Sequence, residues 1–478
     1  MSSAGNNSDV LAERRADGST MLANTSAIER FPMTEEALRW LEGIVAERFG
    51  HQWHLEFCAE GLALWVKGSE GRILFDRLLD CFAEPRSDFP CCWWNAEVEG
   101  WISVIGGGLP TPGCNDLMAP VIEKIEDGYV IHYDIFGLTY WMLARVEEIG
   151  RTDLDNHERF PATSSHALKH GYLDRPVVDE WLHILGQVIQ QYWPALVLKQ
   201  HEFQMRVSHD VDQPSLYAFK PWKTIARMMA GNILKRWDPK AFLTAPYIKL
   251  ATRDSLIEAD PYNTFDWLMD VSEANGLKSA FYWICGRTHP NKDADYEVEQ
   301  PVMRDLLRRI HRRGHEIGLH PSYNTFKDSA ALKREADRLK RVCAEEGIDQ
   351  EQWGGRMHYL RWAQPTTMSA WDDAGMSYDS TLGYADNAGF RCGTCHEYAA
   401  FDAERLVELR LRIRPLIAME CSVIDTPYMG LGVGSQAKQE FLKLKERCQR
   451  VGGCFSLLWH NSSFLKKDMS LIYKETLS

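Results

Sequence analysis

Hydrophobic positions along this chain follow two periods, and the switch between them recurs. Behind Thr34, with Glu35 and Glu36 in the first turn, Leu38, Leu41, Ile44 and Val45 fall at helical spacing and predict a helix. Short strands are expected at residues 53–57, 62–66 and 72–75. Residues 134–148 read as an aromatic amphipathic helix, and another opens at 173–180 and runs to about residue 192. Beyond residue 200 the pattern turns regular. Strands are predicted at 204–208, 278–284, 315–320, 356–359, 376–380, 406–411, 416–421 and 454–459, and helices at 264–275, 303–313, 330–346, 367–374 and 436–451. Such alternation implies an α/β fold with a parallel sheet, closed or nearly closed.

This pattern divides the chain into a polar, disordered tail (residues 1–27), an N-terminal accessory domain (28–200) and a strand–helix domain (201–478). One stretch fits neither period. Residues 220–253 are basic with interspersed aromatics, and are either a lid or membrane-surface element or a solvated helical excursion.

Composition narrows the function classes. A net charge of −13 argues against nucleic acid or an anionic membrane as the main partner. No run of eighteen apolar residues suggests a transmembrane helix, and the start Met1-Ser2-Ser3-Ala4-Gly5 lacks the features of a signal peptide, so a cytoplasmic location is expected. The 12 Cys show no framework spacing, which fits reduced thiols. Gly106-Gly107-Gly108-Leu109-Pro110 is read as a turn, because no Gly-Lys-Ser/Thr follows it. Cys392-Gly393-Thr394-Cys395-His396 matches a haem-attachment pattern, but haem is not expected without export.

Candidate chemistry lies at predicted strand ends. Ser208-His209-Asp210-Val211-Asp212, Gly318-Leu319-His320, Arg356-Met357-His358-Tyr359 and Leu457-Leu458-Trp459-His460 each bring a His, Asp or Arg to the end of an apolar run. In α/β barrels the carboxyl ends of the strands carry the site.

These motifs, in this order, resemble the polysaccharide deacetylase superfamily of NodB type, carbohydrate esterase family four, which implies a distorted (β/α)7 barrel for residues 201–478. Residues 28–200 resemble the uncharacterised domain that precedes such barrels in bacterial polysaccharide-cluster proteins, through Asp134-Ile135-Phe136-Gly137, Arg145-Val146-Glu147-Glu148 and Leu173-Asp174-Arg175-Pro176. The resemblance implies Asp210 as catalytic base, Arg356 as the group that orients it and His460 as general acid. It implies a divalent metal, with zinc expected, on Asp212, His320 and Asn324. Two departures stand out: Val211 occupies the place of the family's metal-binding Asp, and Asn324 that of its second His. Asp212 either replaces the missing ligand or exchanges roles with Asp210. His358, two residues past Arg356, could face the same cavity and supply a ligand. With Tyr359, Arg361 and Trp362 it forms the expected substrate-binding rim. The expected activity is metal-dependent removal of an acetyl group from an N-acetylated sugar or glycan precursor in surface-polysaccharide metabolism. Hydrolysis of another amide C–N bond, with or without metal, and a degenerate glycan-binding or scaffold protein are the alternatives. A carbohydrate is the expected partner; oligomeric state is left open.

Overall fold

The computed structural model describes residues 33–234 and 239–478. The expected tail, residues 1–27, lies outside the described residues.

The Thr34 hydroxyl accepts from the Ala37 N–H and caps the helix Glu35–Phe49, with Glu35 and Glu36 at its positive end. Its buried face, including Trp40, Leu41, Ile44 and Val45, follows the 3.6-residue period. Strands Trp53–Cys58, Gly61–Val66 and Arg72–Phe75 form an antiparallel meander. Gly128–Ile131 then pairs parallel to Arg72–Phe75, and Ile122–Ile125 closes a five-stranded sheet. The helix expected over 134–148 ends at Leu143. Arg145 takes a left-handed conformation (φ 50°), and a short 3-10 turn, Val146–Glu148, follows. That break buries Arg145 beside Glu147 and Glu148. The helix Val177–Tyr192 lies within the span expected for it.

The later elements build a nine-stranded sheet around Gln204–Val211. On one side lie Cys454–Leu458 and Ala418–Met419; on the other lie Ser279–Trp283, Glu316–Leu319, Gly354–Gly355, Tyr378–Asp379 and Val407–Ile413. All these pairs are parallel. Tyr398–Asp402, absent from the sequence reading, adds the antiparallel edge. The chain is thus a mixed α/β protein, but no strand pairing among the described residues joins the two edges. The expected closed or nearly closed barrel is therefore corrected to an open sheet in terms of backbone hydrogen bonds. Residues 220–253 contain a pair of helices, Trp222–Leu234 and Pro239–Ala251. No helix among the described residues is long and apolar enough to cross a membrane.

Glycine sets one close approach that matters below. Gly355 lies opposite Leu319, and a Cβ there would meet the Leu319 carbonyl oxygen at 1.8 Å. Only glycine lets these strands pair at this point, which fixes where Arg356 emerges.

The smaller sheet's helices pack into the same apolar core as the large sheet. Trp40 Nε1 donates to Ala399 O (2.9 Å), and Val178 N donates to Gly393 O (2.9 Å). Arg391 grips Glu148 through Nε (2.9 Å) and Nη2 (2.5 Å), with both side chains buried and Arg145 on the same carboxylate. Truncating one partner of such a pair leaves a buried charge uncompensated. Arg391→Ala should therefore lower unfolding free energy by about 3–5 kcal/mol, measured by urea denaturation of the full chain. A loss within experimental error of zero would show that this link is dispensable.

Candidate functional site

Asp210 is the penultimate residue of the strand Gln204–Val211, and Asp212 follows just beyond its end. Arg356, directly after Gly354–Gly355, is buried and fully engaged. Its Nη1 donates to Asp210 Oδ1 (2.8 Å), its Nε to Ser380 O (2.9 Å) and its Nη2 to Ser380 Oγ (3.0 Å). The planar fork fixes the carboxylate's orientation as a flexible ammonium would not. The Arg356 carbonyl accepts from His320 Nδ1 (2.6 Å). That bond places the His320 proton on Nδ1 and leaves Nε2 as a lone-pair donor, 3.3 Å from Asp212 Oδ1 and 3.8 Å from Asp210 Oδ2.

The expected strand over 356–359 is not one. After Met357 the chain makes a 3-10 turn, His358–Leu360, in which Tyr359 (φ 62°) and Leu360 (φ 54°) adopt left-handed conformations. Non-glycine residues pay for that geometry, by about 1–3 kcal/mol each, where something else holds them. Here Arg159 Nη1 donates to the Tyr359 carbonyl (2.8 Å). The turn points His358 back toward Asp212. His358 Nδ1 donates to Asp293 Oδ1 (3.1 Å), and Nε2 lies 3.5 Å from Asp212 Oδ1. Asp293 is itself locked by the N–H groups of Thr288, His289 and Tyr323, each at 2.7 Å.

Asp212, His320 and His358 thus turn one donor atom each toward a common point. Asp212 Oδ1 is buried and has no hydrogen-bond partner. Its separations of 3.3 and 3.5 Å from the two Nε2 atoms match the edge, about 3.4 Å, of a tetrahedron with zinc–ligand bonds near 2.1 Å. Two imidazoles and a carboxylate also suit zinc by chemistry, and carboxylate-bound His358 has the outer partner that ligating histidines require. The residues present therefore fit a divalent metal. Burial pushes the Asp212 carboxyl up, but the surrounding imidazoles, His358 foremost, outweigh it and hold it well below the ordinary range. Burial likewise lowers the His320 pKa, and the Asp210 and Asp212 carboxylates reverse this and raise it.

Across the site, His460 follows the strand Cys454–Leu458. Its Nδ1 and Glu420 Oε1 are 2.6 Å apart, its Nε2 faces Asp212 Oδ2 at 3.8 Å, and its N–H and the Ser463 hydroxyl also bind Glu420 Oε1. Burial disfavours the imidazolium, but the Glu420 carboxylate wins and lifts the His460 pKa well above the usual value. Asp210, Asp212, His320, His358, Tyr359 and His460 line a cavity of about 140 Å³, shared with Arg159, Leu360, Met419, Cys421 and Tyr428. Larger hollows, about 500 and 290 Å³, include residues at the opposite, amino ends of these strands, where Arg206 and Arg414 already pair with Glu397.

Three expected residues lie outside this cluster. Asn324 is exposed; its Oδ1 accepts from Arg361 Nη1 (3.1 Å) and its Nδ2 donates to Thr288 O (3.1 Å), because the loop past Pro321 leads directly into the 3-10 turn Thr325–Lys327. His358, not Asn324, stands with Asp212 and His320. Arg361 is buried against His157 O, Tyr323 O and Glu158. Trp362 belongs to the apolar core. Neither lines the cavity. Conversely, sequence reasoning missed Asp293, Glu420 and Arg159. The span expected as a strand to residue 421 stops at Met419, and Glu420 opens the helix Glu420–Ile424. The Asp155 carboxylate that accepts from His157 and Arg159 N–H is a turn signal present in the sequence, but nothing local links it to Tyr359.

Zinc titration by calorimetry separates the donor sets. His358→Ala should abolish tight binding, Asp293→Asn should weaken it about 10–100-fold, and Asn324→Ala should leave it unchanged. Equal affinities for wild type and His358→Ala would remove His358 from the site. A second expectation concerns Glu335, buried against Ser322 N (2.8 Å) and Oγ (2.5 Å), whose pKa burial raises from 4.5 to about 7. The folded state then holds a proton that the unfolded chain has lost, so this contribution is complete below pH 4.5 and disappears as pH rises through about 7. Glu335→Gln should flatten the stability profile across that window, read by thermal melts; an unaltered slope would refute the assignment.

Comparisons with known proteins are sparse. A family of unknown function, DUF7033, matches residues 88–194. No curated protein matches the chain. Among solved structures, a Mycobacterium smegmatis protein assigned as a polysaccharide deacetylase is 16% identical, with a TM-score of 0.38 over 58% of this chain and 84% of its own. Puue allantoinase is 10% identical (TM-score 0.34; 58% and 83%). The Xyl-CE4 domain of a multidomain xylanase from the hindgut metagenome of Trinervitermes trinervoides is 11% identical (TM-score 0.24; 58% and 81%). At this level of likeness the functional reading rests on the geometry of the site.

Proposed function

We propose that this chain is a metal-dependent amide hydrolase that removes an acetyl group from an N-acetylated sugar or glycan precursor. The observation that carries the reading is the convergence of Asp212 Oδ1, His320 Nε2 and His358 Nε2 beside two oriented proton-transfer groups, Asp210 and His460. Asp212, His320 and His358 would hold the cation. A bound divalent cation supplies Lewis acidity, which polarises a carbonyl and makes water more acidic.

The chain's own groups do the proton work. Arg356 occupies Asp210 Oδ1 and leaves Oδ2 on the side of His320, where it can take a proton from the attacking water. The water oxygen bonds to the acetyl carbon. His460, kept protonated by Glu420, gives its proton to the amide nitrogen as the C–N bond breaks, releasing acetate and a free amine. Glu420 carries out for His460 what Arg356 does for Asp210: it sets orientation and charge. The half-exposed Tyr359 ring at the mouth offers a face for a sugar ring.

The test is acetate release from a panel of N-acetylated mono- and oligosaccharides by zinc-loaded protein. Asp210→Asn and His460→Gln should each lower kcat about 10²–10⁴-fold with zinc affinity retained. Chelation should abolish turnover, and zinc should restore it. Full activity of either variant, or turnover indifferent to chelator, would overturn the proposal.

A further inference from the structure

The helical pair Trp222–Leu234 and Pro239–Ala251 is not used by the chemistry above. It leaves the sheet just beyond Asp212, at the carboxyl end of the strand Gln204–Val211, the end that bears the cavity. It has a small core of its own, in which Ile225, Ala245 and Ile248 pack with Tyr217 and the half-buried Met228 and Met229. A helical pair with an inner apolar face should turn polar side chains outward. This pair does not. Leu243, Tyr247 and Leu250, at i, i+4 and i+7, form a second apolar row, each side chain more than half exposed. On the other helix Trp222 and Leu234 are also more than half exposed, with Ala226 and Ala230 between them at the same four-residue spacing and exposed as well.

Charge marks the same element. Residues 220–253 hold eight Lys and Arg against one acidic residue, Asp238, in a chain whose net charge is −13. Lys223 and Arg227 are exposed one position along from Trp222 and Ala226. Among the described residues, neither they nor Arg253 forms a salt bridge, whereas Arg304, Arg313 and Arg338 elsewhere on the surface are each bound to carboxylates. Exposed apolar rows flanked by unpaired cations are the pattern of an element that lies in a lipid headgroup layer, with its apolar side chains in the acyl boundary and its cations on anionic headgroups.

We propose that the helices Trp222–Leu234 and Pro239–Ala251 form a docking surface for an anionic lipid bilayer, bringing the cavity end of the sheet toward the membrane. The global negative charge does not oppose this, because headgroup attraction acts within a Debye length, about 8–10 Å, of the contacting side chains. Nucleic acid would meet the cations but offers no acyl layer to receive Leu243, Tyr247 and Leu250, and the same face of a second copy would set Lys223 and Arg227 against cations of their own kind.

Full-length protein is sedimented with vesicles of phosphatidylcholine alone and of phosphatidylcholine mixed equally with phosphatidylglycerol, at low and high salt. Binding is expected to the mixed vesicles only and should weaken with salt. Leu243→Glu/Tyr247→Glu and Lys223→Glu/Arg227→Glu should each reduce it at least about tenfold, with zinc affinity and circular dichroism unchanged. Absence of binding to mixed vesicles, or binding indifferent to both double variants, would overturn the proposal. So would light scattering showing a dimer that the same variants dissolve while vesicle binding is absent. Since the readout needs no turnover, its outcome is independent of the proposed deacetylation.

Discussion

A buried guanidinium organises this site. Arg356 reaches across the sheet to Asp210 and Ser380, and its own carbonyl holds His320. Three strand ends are thereby referred to one residue. The stability gained from such a buried pair is small or even negative against an apolar substitute; what it contributes is position. Two glycines before it, which allow the neighbouring strands to close up, decide where that position falls.

The second constraint is the left-handed turn at Tyr359 and Leu360. An extended continuation past Arg356 would have followed the sheet and carried His358 away from Asp212. The reversal costs backbone energy, and the Arg159 contact that offsets it comes from the segment preceding the large sheet. The N-terminal residues therefore contribute to the site although they supply none of the three atoms proposed to hold a cation. The buried Arg391–Glu148 pair and the shared core keep that segment in register with the strand ends.

The two groups proposed to transfer protons show one design in two materials. Asp210 is oriented by a cation and His460 by an anion, both orienting groups buried; Arg356 also donates to the Ser380 hydroxyl, and Glu420 also accepts from the His460 N–H and the Ser463 hydroxyl. Low dielectric strengthens both pairs and makes an unpaired member costly. Asp212 Oδ1, buried like Glu420 Oε2 without a hydrogen-bond partner, lies between two imidazoles, which is the environment a cation would satisfy.

Local pattern alone carried much of this protein. Hydrophobic periodicity located the helix Glu35–Phe49, the meander from Trp53 and most of the alternating strands and helices, because each buries one face whatever its neighbours are. Terminal polar residues on apolar runs likewise marked Asp210, His320, Arg356 and His460. What periodicity could not reach were contacts between segments distant in sequence. The edge strand Tyr398–Asp402 is buried along its whole length and shows no alternation. Asn324 stood at a ligand's spacing, yet its loop turns it to Arg361, while His358 gains the place through a turn held by Arg159. Asp293 and Glu420 became partners of His358 and His460 only once the sheet had assembled. Residue types and spacing determined which elements form; the tertiary structure decided which donor atoms meet, because those meetings depend on sheet order and on backbone conformations stabilised from elsewhere in the chain.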